Sequence, residues 1–200
     1  MWPYSLTWAA PPAEPLTLEE IKLHLRIDSD ITVDDALIEG LIVGAREWVE
    51  NYIRRSLVIR DVTLRLDAFP GVILLPRGPV QSVTKIEVGT FLVPAASYQV
   101  DLHSLPARIA PAGGGAWPAV PPLTMSNIVV TYVGGYPPEG TAPDQDYAAN
   151  IPEAIKVAMK LLVGGLYENR EHIAEKAQNE VPFSVRALLA PFEVRDFAVE

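Results

Sequence analysis

Residues 34–53 read DDALIEGLIVGAREWVENYI and carry the strongest helical periodicity in the chain. Apolar side chains recur there at spacings of three and four, which places them on one face of an amphipathic helix. Each large side chain that this face buries contributes roughly 1.5–3 kcal/mol, so the face must pack against a core or another subunit. The expected apolar face is Leu37, Ile38, Leu41, Ile42, Ala45, Trp48, Val49, Tyr52 and Ile53, and the expected outer residues are Glu39, Arg46, Glu47, Glu50 and Arg54.

Two further helices flank this one in the sequence. Thr17 and Glu20 have the spacing of a capping box and start a short helix before it. Pro152, which suits a first helical turn, starts a later helix that runs to Glu171. Ser184 is placed to cap a last turn or two before Pro191.

Between the second and third helices the apolar period changes from about 3.6 to two. Short alternating segments, separated by Pro and Gly turns, predict a small antiparallel sheet or barrel. The fold class is therefore α+β: a helical bundle core of three main helices plus a short C-terminal helix, with an inserted small antiparallel β subdomain. The expected strands are 57–66, 72–75, 80–88, 98–101, 108–109 and 128–133.

These patterns divide the chain into five parts. They are an extended N-terminal arm (1–16), a helical core (17–56 and 152–173), the β insertion subdomain (57–136), a loop (137–151) and a C-terminal docking tail (174–200).

Both ends of the chain are candidate contact segments. The aromatic residues of the arm, Trp2, Tyr4 and Trp8, either pack on their own domain or contact a neighbouring subunit. The tail either folds onto its own helices or docks on a partner as it orders. Its candidate docking residues are Phe183, Val185, Arg186, Leu188, Leu189, Phe192, Arg195 and Phe197.

Composition excludes several classes of protein. The chain has no cysteine, so disulfides and thiolate metal sites are excluded. Its net charge of −9 argues against tight binding of nucleic acid. Neither a signal peptide nor an apolar stretch of eighteen residues is present, so we expect a soluble protein without a membrane partner.

No motif predicts a catalytic, metal or cofactor site, and we expect none. The acidic loop 28–39 resembles a calcium loop, but Val33 stands where glycine is needed and Ala36 supplies no ligand. Its acids are better explained as favourable charge at the start of a helix.

Several short sequence segments, taken in order, resemble segments of the head–tail connector (adaptor) proteins of siphophages, which also occur in phage-derived gene transfer agents. Together they cover most of residues 15–195. They are 15–20, Leu25-Arg26, 34–38, 45–47, 74–83, 98–101, 129–136, 152–156 and 167–171.

The resemblance implies a structural protein of a phage or phage-like particle, made in the host cytoplasm and active in particle assembly and DNA packaging. It implies a ring of about twelve copies at the head–tail interface. The ring would bind the portal protein above and a stopper or tail-completion protein below, around a channel through which DNA passes without sequence-specific binding. The tail would dock on the portal, with Arg186 and Arg195 meeting acids at the rim of a groove.

Two other functions remain open from the residues alone. One is a monomeric binding module or chaperone used in assembly. The other is an enzyme whose carboxylates meet in the fold at a site that no motif marks.

Overall fold

The computed structural model describes residues 4–120, 125–169 and 182–194. Helices and antiparallel sheets are combined, as the sequence predicts. The helices are α1 (Leu18–Leu25), α2 (Asp35–Ile53), α3 (Glu153–Glu168) and α4 (Phe183–Leu189). The strands are β1 (Tyr4–Trp8), β2 (Arg60–Leu66), β3 (Ile73–Leu75), β4 (Val80–Val88), β5 (Phe91–Leu92), β6 (Tyr98–Asp101), β7 (Ala107–Pro111) and β8 (Ile128–Gly134).

The capping box that the sequence predicts is present at the start of α1. The Thr17 hydroxyl accepts from the Glu20 amide at 3.1 Å, and the Glu20 carboxylate accepts from the Thr17 amide at 2.9 Å. The helix ends at Arg26, whose left-handed backbone (φ 59°) lets its amide bond back to the last turn.

α2 buries most of the predicted stripe against α3. Leu37 is 41% exposed, and Leu41, Trp48 and Tyr52 are half-buried. The rings of Trp48 and Tyr52 stack on each other, with 5.0 Å between their centroids. Leu37 lies in the first turn, beyond the end of the shared core. The buried cluster formed by the helices is Leu16, Ile21, Ile38, Ile42, Ala45, Val49, Ile53, Leu57, Val58, Ile151, Ile155, Ala158, Met159, Val163, Val185 and Leu189.

The strands form two antiparallel sheets. One has the order β1-β2-β8-β4-β5 and the other β3-β7-β6. Alternation along β2 points Val62, Leu64 and Leu66 inward, as predicted, and Tyr132 at the centre of β8 is fully buried with them. A second hydrophobic cluster therefore lies in the β region, separate from that of the helices.

β1 and β5 are strands that the sequence patterns did not predict. β1 comes from the expected N-terminal arm and pairs with β2 from Tyr4↔Leu66 to Trp8↔Val62. β5 is a two-residue strand at the opposite edge, paired with the end of β4. Of the helices described, none combines the length and apolar character needed to cross a membrane.

Candidate functional site

Helices and sheets contact each other at the two connections where the chain leaves α2 and where it returns to the helices after β8. Backbone hydrogen bonds join Ser56 to Gly78 at 3.2 Å, Gly135 to Pro79 at 2.9 Å and Tyr136 to Leu57 at 3.3 Å. We call these segments, 54–60, 76–80 and 134–136, the junction.

Glycine is required at the junction because backbones approach closely there. Gly135 has φ +118°, and a Cβ on it would lie 2.3 Å from the carbonyl oxygen of Val58. A Cβ on Gly134 would lie 2.9 Å from the carbonyl oxygen of Arg77. The Gly134-Gly135 pair thus lets three segments of backbone pack directly on one another.

A buried ion network fixes the end of α2 to β2. The Glu50 side chain is 4% exposed and accepts hydrogen bonds from Arg46 Nη1 at 3.1 Å, from Leu57 N at 2.8 Å and from Arg60 Nη2. On its other side, Arg46 donates through Nε to Glu14 at 2.8 Å. Burying charges is costly unless they are paired. Here Glu14, Arg46, Glu50 and Arg60 form a chain of ion pairs, although among the described residues the buried Nε of Arg60 has no hydrogen-bond partner.

The expectation that Arg46 and Glu50 lie on outer faces of α2 is wrong. Both residues are buried, at 5% and 3% exposure, because Glu14 and β2 cover that side of the helix. Burial opposes the charged form of Arg46, but its hydrogen bond to Glu14 and the charges of Glu14 and Glu50 outweigh this and raise its pKa. The other outer residues, Glu39, Glu47 and Arg54, are exposed as predicted.

Arg77 connects the network to the N-terminal strand. It donates Nη1 to the Glu50 carbonyl at 2.8 Å and Nη2 to the side chain of Asn51. Its guanidinium carbon lies 4.5 Å from the centroid of the Trp8 ring, a cation–π contact. Burial is the main reason that the pKa of Arg77 is lowered.

The candidate subunit-contact residues lie at the edge of the larger sheet. Tyr4 is 48% and Trp8 43% exposed, so each keeps about half of its surface available. Trp8 also has an intramolecular partner in Arg77, and Leu6 between them packs on the β cluster. Trp2 lies outside the described residues.

The structure divides the candidate docking residues of the C-terminal tail. Val185 and Leu189 are fully buried among the helices, and Leu188 and Phe192 pack against that cluster. The end of the segment is tied to the junction, since Arg55 Nε donates to the Phe192 carbonyl at 2.6 Å and Val194 N to that of Ile53 at 3.1 Å. Two candidates face solvent, Phe183 (86% exposed) and Arg186, while Arg195 and Phe197 lie outside the described residues.

The acidic loop before α2 is organised by a lysine. Lys22 Nζ donates to the carbonyls of Ile31 at 2.8 Å and Ser29 at 3.3 Å, and lies 2.6 Å from the Asp35 carboxylate. Its ammonium group supplies positive charge inside the loop that resembles a calcium site. Among residues 4–120, 125–169 and 182–194, no three His, Cys, Asp or Glu side chains converge as metal ligands.

Sequence reasoning missed the buried members of these networks. Lys22 was given no buried role. Arg60 lies in phase with the buried residues Val62 and Leu64 of β2, but no pattern in the sequence indicated Glu50 as its partner.

Comparison with known proteins matches this architecture to one group. Residues 15–91 match the family model of the phage gp6-like head-tail connector protein. None of the curated proteins compared with the chain matches it.

Similar solved structures cover nearly the whole chain. The first comes from the neck of an empty gene transfer agent (GTA) particle computed with C6 symmetry, with 24% identity and a TM-score of 0.76. The second comes from the virion of a native GTA particle, with 23% identity and a TM-score of 0.76. The third comes from the neck of a native GTA particle computed with C12 symmetry, with 22% identity and a TM-score of 0.75. Each alignment covers 98% of both chains. The resemblance to head–tail connector proteins is thus confirmed, and the chain has the fold of a chain found in the GTA neck.

Proposed function

We propose that this protein is a structural head–tail connector, which forms a ring under the portal and joins the capsid to the tail around the DNA channel. One observation carries the proposal: 98% of the chain, β region included, aligns with chains of GTA particles at TM-scores of 0.75–0.76. The matched family and structures are connector and neck proteins, not enzymes.

The test is to delete the gene for this protein and to examine the particles that assemble without it. Heads and tails should then accumulate separately, and adding the purified protein should restore their joining. Quantitative mass spectrometry of complete particles should find several copies per particle, as a closed ring requires. Normal joining without the protein, or one or two copies per particle, would contradict the proposal. The latter result would favour a monomeric assembly module or chaperone.

The outer face of α4 is the proposed contact with the portal. Phe183 and Arg186 are exposed one helical turn apart, whereas Val185 and Leu189 hold the helix on the core. Deleting residues 182–200 would remove buried side chains as well, so a paired substitution is the sharper test. Phe183→Ser with Arg186→Ser should leave a folded protein that no longer binds portal-bearing heads. Unchanged head binding would move the portal contact elsewhere.

Contacts between neighbouring copies are proposed at the edge strand β1. Its sequence from Tyr4 to Trp8 has no charge, proline or glycine, and one side of the strand is unpaired in the described sheet. Such an edge is open to association with another chain. Tyr4→Lys should weaken ring formation, measured by mass in solution and on heads, more than Thr90→Lys does at an exposed turn.

The division of the chain is also a proposal. Two separate hydrophobic clusters support a helical core and a β insertion subdomain. The pairing of β1 with β2 adds Tyr4–Trp8 to the β region. A segment spanning 57–136 alone should therefore be less stable than one that also carries β1, which denaturant titration of the two fragments would measure.

A further inference from the structure

The outer edge of β1 presents a regular row of backbone hydrogen-bonding groups. In the described part of the chain no strand pairs with β1 on that side. Ala9, directly after β1, donates its amide to the Asp61 carbonyl of β2 at 3.0 Å, and hydrogen-bonded and non-hydrogen-bonded positions alternate along an antiparallel pair. The N–H and C=O groups of Tyr4, Leu6 and Trp8 therefore point away from β2, toward the open side of the sheet.

The opposite edge of the same sheet is blocked against pairing, whereas the β1 edge is not. β5 at that edge has two residues, and β4 behind it has two shifts in its register with β8 and exposes Lys85. Short edge strands, irregular register and exposed lysine are devices that keep sheet edges from associating. β1 has five uncharged residues in unbroken register with β2, so it has none of these devices.

The side chains of β1 are arranged symmetrically about Leu6. Tyr4, Leu6 and Trp8 share the inner face of the sheet, and the aromatic rings at the two ends are about half exposed. When two copies of β1 lie antiparallel with Leu6 opposite Leu6, each Tyr4 lies opposite Trp8 of the partner subunit, an aromatic cross-strand pair. In that register all three outward-pointing residues form hydrogen-bonded pairs, with about six N–H···O bonds in total.

A second copy of the chain is the occupant that these features fit. The net charge of −9 makes copies repel one another, but β1 has no charged side chain and allows close approach. A two-fold contact requires a surface that is complementary to itself, and the order Tyr4, Leu6, Trp8 supplies one. We propose that two copies of the free protein pair through their β1 edges, antiparallel about a two-fold axis at Leu6, to form one continuous sheet.

Such a pair would keep the protein out of the ring. A two-fold contact joins two copies and goes no further, whereas a ring needs contacts that repeat from each copy to the next. Because β1 is also the proposed contact between neighbours in the ring, a paired copy has to release its partner before it can join. The pairing does not depend on the proposed function, but this consequence rests on it.

Disulfide trapping with single cysteines tests the pairing and its register. The chain has no cysteine, so every disulfide is an introduced one. In the proposed register Ser5 lies opposite Thr7 of the partner subunit as a non-hydrogen-bonded pair, with about 4.5 Å between Cα atoms, which a disulfide can bridge. A mixture of the Ser5→Cys and Thr7→Cys proteins should form linked dimers under mild oxidation. Each variant alone should form few, because the two copies of one position are about 7–8 Å apart.

Sedimentation equilibrium measures the pair without cross-linking. Ser5→Glu with Thr7→Glu puts like charges directly opposite each other and should leave the protein monomeric at concentrations at which the wild type is paired. The matched control is Ser5→Glu with Thr7→Lys, which puts opposite charges at the same two exposed positions and should keep the pair. Thermal melts of both variants check that the fold is retained.

Three results would overturn the inference: a mixture that links no better than the single variants, efficient linking of either variant alone, or a wild type that is monomeric throughout the titration. The linked pair also separates this inference from the proposed function, since it should fail to join heads to tails until it is reduced. Joining by the oxidised pair would show that β1 is not the contact within the ring, and would overturn the consequence for assembly. If linked dimers form but neither the oxidised nor the reduced protein joins heads to tails, the proposed function fails and the pairing stands.

Discussion

The buried Glu50 carboxylate should be one of the most sensitive positions for stability. Glu50→Gln keeps the size of the side chain but removes the charge that pairs Arg46 and Arg60, which are 5% and 6% exposed. Breaking a buried pair from one side costs about 3–5 kcal/mol. A chain of this length loses roughly 2–4 °C of Tm per kcal/mol, so the expected fall in Tm is roughly 6–20 °C.

The matched control is Glu47→Gln on the same helix. Its carboxylate is 3.6 Å from Arg46 Nη2 but 63% exposed, and exposed pairs contribute about 0–1 kcal/mol. Calorimetric melts and urea titrations of both variants at neutral pH measure the difference. If Glu50→Gln lowers the free energy of unfolding no more than Glu47→Gln does, the network does not stabilise the junction and the reasoning fails.

Three other outcomes follow from the sites described above. Gly135→Ala should cost at least about 1–3 kcal/mol, because φ +118° and the Val58 carbonyl leave no room for Cβ; Gly71→Ala, which meets nothing within 4 Å, should melt close to the wild type, and equal melting of the two variants would refute the argument. Partial burial opposes ionisation of Glu20, but its hydrogen bonds and the charges of Lys160 and Lys156 outweigh this and lower its pKa. The ionised carboxylate therefore stabilises the fold at pH values above its ordinary pKa of 4.5. That stabilisation is lost as the pH falls through the lowered pKa. Glu20→Gln should thus be less stable than the wild type at pH 7, with a gap that narrows in acid; a gap independent of pH would contradict this. Binding to free duplex DNA should be weak or undetectable at physiological salt, as the net charge of −9 requires, and sub-micromolar affinity in a titration would show that the charge argument is wrong.

Sequence patterns predicted those helices and strands that depend on residues close to one another in the chain. The Thr17 cap, the α2 stripe and the alternation along β2 each depend on residues within a few positions of one another, and each is present. β1 was missed because the feature that makes Tyr4–Trp8 a strand is its pairing with β2, more than fifty residues away.

The candidate site was predicted less completely, for a related reason. Charged residues on a helix are normally placed on its solvent side, and nothing near Arg46 or Glu50 in the sequence shows that Glu14 and Arg60 will cover them. The partner of the C-terminal tail could not be predicted either. The apolar content of the tail indicated that Val185 and Leu189 pack against a surface, but not that this surface belongs to their own chain.

The junction has a mechanical consequence for a ring built from this chain. The chain passes between helices and sheets three times, and the second and third passages are hydrogen-bonded to each other beside a buried ion network. Rotating one part against the other would have to expose those charges, so the subunit resists bending at its middle. In the proposed ring, a displacement imposed on one end of a subunit would therefore reach its other end as rigid motion of the whole subunit.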